Sequence, residues 1–413
     1  MQIHPYVPQT FGRPGRTGLP GTSAVRLLAA LLGLSWATLE AQVQVRLAGY
    51  AALAADTFRA GPPSTNEPRG LFRKPPARWP NQPVQGVSSL QSAGDGTFWA
   101  LSDNGFGARR NSATFLLAIY RLDIHWRTPA GGPGTVELLE TVELRDPHGF
   151  AGRIVRKRDP ERRLTGADFD PESLHIAADG SFWIGDEFGP WLLHFSAEGS
   201  LLAPPIPARI RVGQRQVEVR SPDRGGLRRA NLPRSRGFEG LTYHPRRGEL
   251  LLLLEGTLRG ETVGRLRMFR YLPGISQLVE ATDWRYPLER PGHAIGELSF
   301  WPERNVFLVL ERDWGHGPQA AFKRVFAWQP EIGPASKQTV VDLLAIPDPD
   351  RLASADSIFA MPYVTLESLL PIDGHTLIVC NDNNYPATGG RSIGQRDATE
   401  FVLLRVEIAR AAP

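Results

Sequence analysis

Cysteine is almost absent from this sequence. The single residue, Cys380, excludes an intrachain disulfide framework, and its place at the end of an apolar run indicates packing rather than a reactive thiol. No stretch shows sustained helical periodicity, whereas 42 glycines and 36 prolines suit a chain with many turns. Walker, dinucleotide-binding and zincin motifs are also missing. These absences argue against a disulfide scaffold and a helical bundle, and the composition favours strands.

Long hydrophobic runs are missing beyond the N-terminus. Residues 27–36 form one short apolar run, which follows Arg13, Arg16 and Arg26 and precedes a plausible cleavage site at residues 37–41. Because this run is too short to span a bilayer comfortably, it predicts a removable signal peptide over residues 1–41; a disordered tail is the alternative. We therefore expect a secreted or periplasmic protein whose mature chain, residues 42–413, is one domain without a membrane span.

One stretch, residues 167–190, combines strand patterns with acidic residues. Two apolar runs flank the turn dipeptide Asp179-Gly180. This order predicts a β-hairpin whose open end holds Glu172 beside Asp186 and Glu187. Carboxylates held together repel one another unless protons or a cation separate them, so the open end is a candidate functional site.

The same hairpin pattern occurs five times. Four copies begin with Glu and one with Gln, and every copy ends with an acid or an Asp/Asn pair. The starts are Gln85, Glu172, Glu239, Glu297 and Glu367, and the ends are Asp103, Asp186 with Glu187, Glu255, Glu311 and Asp382. Further apolar runs follow each hairpin, which indicates a repeat of about four strands.

Four-stranded repeats around a common axis predict an all-β fold, a β-propeller. Five blades are expected, or six if residues 106–165 hold another one. The last repeat lacks its fourth strand, and an apolar stretch at residues 43–57 is expected to supply it and close the ring. In this arrangement the acidic hairpin ends gather on one face.

Basic residues cluster although the formal net charge is only +4. Residues 153–163 and 209–236 are rich in arginine, which is typical of solvated loops or of a surface that captures anions. No aromatic stacking platform or nucleic-acid module accompanies them. We expect a small anionic or ester substrate and no nucleic-acid partner, and the oligomeric state is not indicated.

Several motifs resemble the phytase-like family, described as having esterase-like activity of phytase. The resemblance extends over residues 45–410, and it implies a propeller and ester hydrolysis, although a propeller hosts many functions. The motifs that carry it are residues 170–173 with 180–190, residues 236–241, residues 308–313, residues 366–369 with 381–384, and residues 98–105.

Hard oxygen donors without clustered cysteine or histidine favour Ca²⁺, with Mg²⁺ as an alternative. A bound cation would polarise a phosphoryl oxygen and lower the pKa of a water nucleophile. The structural alternative is that each acid accepts backbone N–H bonds and holds neighbouring blades together. The candidate metal ligands are Glu172, Asp186, Glu187, Glu239, Glu255, Glu297, Glu311, Glu367 and Asp382.

Arginine and histidine residues near the acidic ends are candidates to bind substrate, because arginine holds phosphate in a bidentate way. His293 and His316 flank the fourth hairpin and could reach the same face. The substrate-binding candidates are Arg236, Arg312, His293 and His316, and the catalytic candidates are Glu172, Asp186, Glu239 and Arg236.

The leading hypothesis from the sequence is a secreted, metal-assisted hydrolase of phosphate or other esters. One alternative is a non-catalytic propeller that binds a ligand or protein through the same face. The other is a lactonase-like propeller hydrolase with a central metal. The sequence leaves open whether the chain is an enzyme.

Overall fold

The computed structural model describes residues 43–66, 77–386 and 389–408. The predicted signal peptide, residues 1–41, lies outside the described residues. Strands dominate this part of the chain, with one short helix, α1 (Pro222–Gly225), and three 3₁₀ turns, at Pro273–Ile275, Gly317–Gln319 and Pro334–Ser336. Among the described residues, no helix has the length and apolar character needed to cross a bilayer.

The strands of the described residues form one eight-stranded sheet, three four-stranded sheets and four short pairs. The eight-stranded sheet is described below as units 1 and 5, which are joined at one parallel pair, Ala52 opposite Thr135. The chain begins with β1 (Val43–Leu53), β2 (Phe58–Arg59), β3 (Ser64–Thr65), β4 (Arg78–Trp79) and β5 (Gln82–Pro83). Unit 1 contains β6 (Val87–Ser92), β7 (Phe98–Ser102), β8 (Ala118–His125) and β9 (Thr135–Glu143). Unit 2 contains β10 (Pro171–Ile176), β11 (Phe182–Asp186), β12 (Trp191–Phe195) and β13 (Ile206–Pro207), and a separate hairpin of β14 (Arg209–Val212) and β15 (Arg215–Glu218) follows it.

The remaining units follow in the same order along the chain. Unit 3 contains β16 (Phe238–His244), β17 (Glu249–Leu254), β18 (Arg265–Leu272) and β19 (Gln277–Pro287). Unit 4 contains β20 (Ala294–Trp301), β21 (Val306–Arg312), β22 (Lys323–Trp328) and β23 (Gln338–Asp342), and the short pair β24 (Ile346–Pro347) and β25 (Ile358–Phe359) comes next. Unit 5 contains β26 (Leu366–Asp373), β27 (Thr376–Asn381) and β28 (Thr399–Ile408), with β1 as its fourth strand.

The N-terminal strand completes the last unit, as the sequence predicts. Strand β1 runs antiparallel to β28 over its whole length, from Val43 opposite Ile408 to Leu53 opposite Thr399. The first strands of the units, β6, β10, β16, β20 and β26, each pack beside the next, and β26 packs beside β6. The fold is therefore an all-β propeller whose first strands line the centre, and the described residues 106–165 hold no further four-stranded unit.

The core lies in layers between neighbouring units. Residues 250–254 of β17 are all leucine, and all are buried. Alternate side chains of a strand point to opposite faces, so Leu250, Leu252 and Leu254 pack toward unit 2 while Leu251 and Leu253 pack toward unit 4. A strand buried on both faces needs a continuous apolar run, which explains why these strands lack the polar alternation of a half-exposed sheet.

Candidate functional site

A β-bulge interrupts the first strand of each unit near its open end. In unit 2 the residues on either side of Glu172 pair with Asp186 and Gly185, which leaves Glu172 as the extra residue. The same irregularity leaves Glu239 and Glu367 as the extra residues of units 3 and 5. A bulge re-aims a side chain out of the regular alternation of a strand, and here it presents three glutamates in equivalent positions.

Units 1 and 4 carry no acid in the bulge. Their extra residues are Ser88 and Gly296, whereas the sequence repeat aligns Gln85 and Glu297 with the glutamates. The strand register therefore corrects the alignment. At Gly296 a Cβ atom would lie 1.8 Å from the carbonyl oxygen of Leu366, so a side chain has no room there.

A second set of five equivalent residues lies at the ends of the second strands. In each unit, the residue just before the bulge pairs with a residue of the second strand, and the next residue along the chain from that partner belongs to this set. Four members are acidic, and the member from unit 4 is an arginine. They are Asp103, Glu187, Glu255, Arg312 and Asp382. The sequence repeat places Glu311 in this set, but the register gives the position to Arg312.

The two sets meet in a buried acidic cluster at the centre of the ring. Carboxylate oxygens of Asp170, Glu172 and Glu187 lie within 4.8 Å of one another, as do those of Glu187, Glu239 and Glu255. Glu187 therefore belongs to both groups. The full acidic cluster comprises Asp103, Asp170, Glu172, Glu187, Glu239, Glu255, Glu367 and Asp382, all of them buried.

Asp103 and Asp170 belong to this cluster but are absent from the residues that the sequence selects. Asp170 Oδ1 accepts hydrogen bonds from the backbone N–H and the side-chain Nδ2 of Asn104, at 3.2 and 2.7 Å. Asp103 Oδ1 accepts from Gln85 Nε2 at 2.9 Å. A signal existed for both, because Asp170 stands two residues before Glu172 and Asp103 ends the first hairpin.

The cluster is electrostatically incomplete. Burial, reinforced by the neighbouring carboxylates, raises the pKa of Glu172 and of Glu187 well above the ordinary range of a glutamate. Burial also raises the pKa of Asp170 and of Asp382 to about 6. Within the described part of the chain, no N–H group donates to the carboxylates of Glu172 or Glu187. These acids need either protons or cations to neutralise them.

Arg312 is the cation that the chain itself places in the cluster. Its side chain is 3% exposed, and its Nη2 atom lies 3.4 Å from Glu255, 3.4 Å from Glu367 and 3.6 Å from Glu239. The Nε and Nη1 atoms are buried and find no hydrogen-bond partner within the described part of the chain. The exposed ring of Trp314 covers the guanidinium at 4.5 Å.

Arg236 lies at the edge of the same cluster. It forms an ion pair with Glu255, and its guanidinium stacks on the Trp314 ring at 4.4 Å. The structure thus brings together Arg236 and Arg312, which the sequence selects as substrate-binding residues, with the glutamates of the cluster.

Glu311 is a fully buried acid that is satisfied by its own surroundings. Its carboxylate accepts from Lys337 Nζ at 2.6 Å, from His293 Nδ1 at 2.7 Å, from the Glu289 N–H at 2.8 Å and from the Tyr286 hydroxyl at 3.1 Å. The structure therefore places Glu311 and His293 in one ion-pair network rather than among the grouped oxygen ligands.

Three further candidates from the sequence, Asp186, Glu297 and His316, are also not members of the acidic cluster. Asp186 accepts from the backbone N–H of Asp170 at 2.8 Å and of Gly189 at 2.5 Å, and burial raises its pKa to about 7. Glu297 accepts from the Ser89 hydroxyl at 2.8 Å and from its neighbour's backbone N–H. His316 is exposed.

The donor set of the acidic cluster fits a hard divalent cation. All eight donors are carboxylates, and the only cysteine, Cys380, is buried in a strand. Carboxylate oxygens suit Ca²⁺ and Mg²⁺, while zinc sites rely on histidine and cysteine. The lack of N–H donors to Glu172 and Glu187 gives the same indication, because a cation would supply the missing neutralisation.

Comparison with known proteins identifies one family. Residues 82–385 match the model of the family described as phytase-like, esterase-like activity of phytase. No curated protein matches the sequence.

Solved structures with a similar chain path share little sequence. An exo-β-1,3-galactanase from Phanerochaete chrysosporium is 9% identical, with 90% of this chain and 67% of that chain covered at a TM-score of 0.41. Streptogramin B lyase is 10% identical, with coverages of 89% and 99% and a TM-score of 0.31. The PQQ-bound aldose sugar dehydrogenase of Streptomyces coelicolor is 11% identical, with the same coverages and TM-score. Likeness of this degree says nothing about activity.

Proposed function

The chain belongs to the phytase-like family, and on that premise we propose that it is a metal-assisted hydrolase of phosphate or other esters. One observation supports this above all: eight carboxylates are buried together, and two of the central ones, Glu172 and Glu187, accept from no N–H group of the described residues. Buried acids that serve the fold alone are normally paired with donors. This cluster is instead arranged to receive cations, for which we propose Ca²⁺ first and Mg²⁺ second.

Asp170, Glu172, Glu187, Glu239 and Glu255 are the residues that would hold the cation. A bound cation would polarise the ester and lower the pKa of a water molecule. Asp186 fixes Asp170 through the backbone N–H of that residue, so its role is to position a ligand rather than to touch substrate.

Arg236 and Arg312 provide the positive side of the site. Both lie against Trp314, whose exposed ring screens them from solvent on one side. Arginine binds the oxygens of a phosphate or carboxylate in a defined orientation. These side chains would hold the anionic part of the substrate.

A double variant, Glu172→Gln with Glu239→Gln, tests the proposal. Calcium-dependent release of phosphate from phytate or a chromogenic phosphoester should fall at least about 100-fold, since even indirect ligand partners cost 10- to 100-fold. Stabilisation by calcium in thermal unfolding should fall with it. The matched control removes two exposed charges from β9, Glu137→Gln with Glu140→Gln, and should leave both properties unchanged.

The same assays separate the alternatives. Turnover of lactones without turnover of phosphoesters would replace the proposal with a lactonase-like hydrolase. A folded protein that binds calcium but turns over no ester would indicate a ligand-binding propeller. Metal analysis of the purified protein identifies the cation directly.

We also propose that the protein acts outside the cytoplasm, because residues 1–41 have the pattern of a signal peptide. N-terminal sequencing of the mature protein should find a start near residue 42. A mature chain that retains Met1 would contradict this.

A further inference from the structure

One of the five equivalent strand ends carries the opposite charge. Asp103, Glu187, Glu255 and Asp382 are acids, and Arg312 takes the fifth position. The same unit also has Gly296 at the bulge position, so it contributes no carboxylate from its first strand at that position. Unit 4 therefore forms a positive side in an otherwise acidic centre.

The guanidinium of Arg312 forms fewer hydrogen bonds within the described residues than it has N–H groups. A guanidinium has five N–H donors, but only Nη2 lies near the acids, and its three separations of 3.4 to 3.6 Å are long for charge-assisted hydrogen bonds. Among the residues that the structure describes, Nε and Nη1 have no hydrogen-bond partner although the side chain is 97% buried. Unpaired buried donors are costly, so their persistence points to an acceptor that the protein does not provide.

We propose that Arg312 binds an oxyanion of the ligand through Nε and Nη1, and that this binding is coupled to occupation of the acidic cluster by divalent cations. The inference rests on the proposed function, since it specifies which part of the site receives the anionic group. The ligand class is a small oxyanion such as a phosphate, a phosphonate or a carboxylate.

The coupling follows from the charges. Without cations, those acids around Arg312 that are ionised compete for its single charge and repel an incoming anion. Cations bound to the same carboxylates remove that repulsion and leave the guanidinium free to face the anion. Coupling between two ligands is reciprocal, so the anion must tighten cation binding by the same factor.

Arg236 does not meet the same criteria. Its side chain is 29% exposed, and it is already paired with Glu255. Among the described arginines of the site, only Arg312 combines burial with two unpartnered donors.

Calorimetric titration tests this inference without relying on activity. Calcium is titrated into the protein alone and in the presence of phenylphosphonate, which cannot be hydrolysed as an ester, or of benzoate. We expect at least one of these anions to tighten calcium binding by about tenfold, within the usual range of such couplings. Tightening by phenylphosphonate alone assigns a tetrahedral oxyanion, and tightening by benzoate alone assigns a carboxylate.

Arg312→Gln should abolish the effect of the anion while calcium binding without anion stays equal or becomes tighter. Arg312→Lys keeps the charge but loses the fork of donors, so it should retain part of the coupling and serves if the glutamine variant fails to fold. The control is Arg324→Gln, which removes an arginine that pairs with Asp342 in the outer part of unit 4.

The outcomes are distinct from those of the hydrolase proposal. Coupling without turnover of any ester would leave this inference standing and remove the proposed activity. Turnover without coupling, or unchanged coupling in Arg312→Gln, would overturn the inference alone. A glutamine variant that binds calcium more tightly but keeps the anion effect would show that Arg312 is only a counter-ion.

Discussion

Glu311 and Glu187 are both buried glutamates at the ends of second strands, yet their surroundings are opposite. Glu311 accepts from four donors, two of them on the cationic or ionisable side chains of Lys337 and His293. Glu187 faces other carboxylates, and burial and repulsion raise its pKa. The comparison teaches that burial alone does not distinguish the two acids. They differ in their donors, because Glu187 accepts from no N–H group of the described residues.

Other buried acids follow the pattern of Glu311. Asp146 accepts from the backbone N–H groups of Phe150 and Ala151 and from Arg162, and Asp348 accepts from two backbone N–H groups of its own loop. Each closes a tight turn after the outer strand of its unit. These acids stabilise the fold, and their donors distinguish them from Glu172 and Glu187, which accept from no N–H group of the described residues.

The largest expected effect is a loss of stability when Glu311, the acid with four donors, is replaced. Glu311→Gln removes the buried anion of Lys337 and leaves that lysine only the partly exposed Glu289, so the free energy of unfolding should fall by about 3 kcal/mol. Urea unfolding with and without calcium measures this. The increment due to calcium should be unchanged, and its loss would show that Glu311 takes part in cation binding.

Lowering the pH should stabilise the folded protein through the central cluster, whereas it destabilises a protein through a carboxylate that is paired with a cation. The folded-state pKa values of Asp170 and Asp382 are raised from 3.8 to about 6, so the folded protein keeps protons that the unfolded chain has already released. The contribution of these groups to stability is therefore complete below about pH 4 and is lost as the pH rises toward 6.

Thermal unfolding of metal-free protein between pH 4 and pH 7 checks this expectation. The melting temperature should fall as the pH rises, and calcium should raise it more at pH 7 than at pH 4, where protons occupy the carboxylates. A metal-free protein that becomes more stable over this range would show that the central acids are paired like Glu311.

The smallest expected effect concerns Glu297, which the sequence repeat groups with the central glutamates. Its hydrogen bonds to Ser89 and to the Leu298 N–H can largely be kept by an amide. Glu297→Gln should therefore lower the free energy of unfolding by only about 1 kcal/mol, and the response to calcium should remain. Loss of that response would place Glu297 among the cation ligands.

Much of the architecture could be predicted because strands and hairpins depend on residues that are close together in the sequence. The hairpin around Asp179-Gly180 forms as expected, with Gly180 at a φ of +82°, and the N-terminal strand closes the last unit. The glutamates that the bulges present, Glu172, Glu239 and Glu367, were selected from the repeat alone.

The errors of alignment have a physical cause. A bulge inserts one residue into a strand, and neither composition nor alternation reveals where it falls. The repeat therefore aligned Glu297 with the glutamates, although the register places Gly296, one residue earlier, in the bulge. In unit 1 the offset is three residues, from Gln85 to Ser88. A shift of one residue turns a side chain to the other face of a strand, so the error also exchanged Glu311 for Arg312.

By itself the sequence determined the strands, their hairpins and an excess of acids at the hairpin ends, because these depend on neighbouring residues. Only the tertiary structure decided which acids meet. Closing the ring brings Asp103 near Asp382 and brings Glu187 near Glu239 and Glu255 across long stretches of chain, and the bulges choose which side chains point inward. Whether a buried acid finds a donor depends on residues from several units, and that difference separates Glu187 from Glu311.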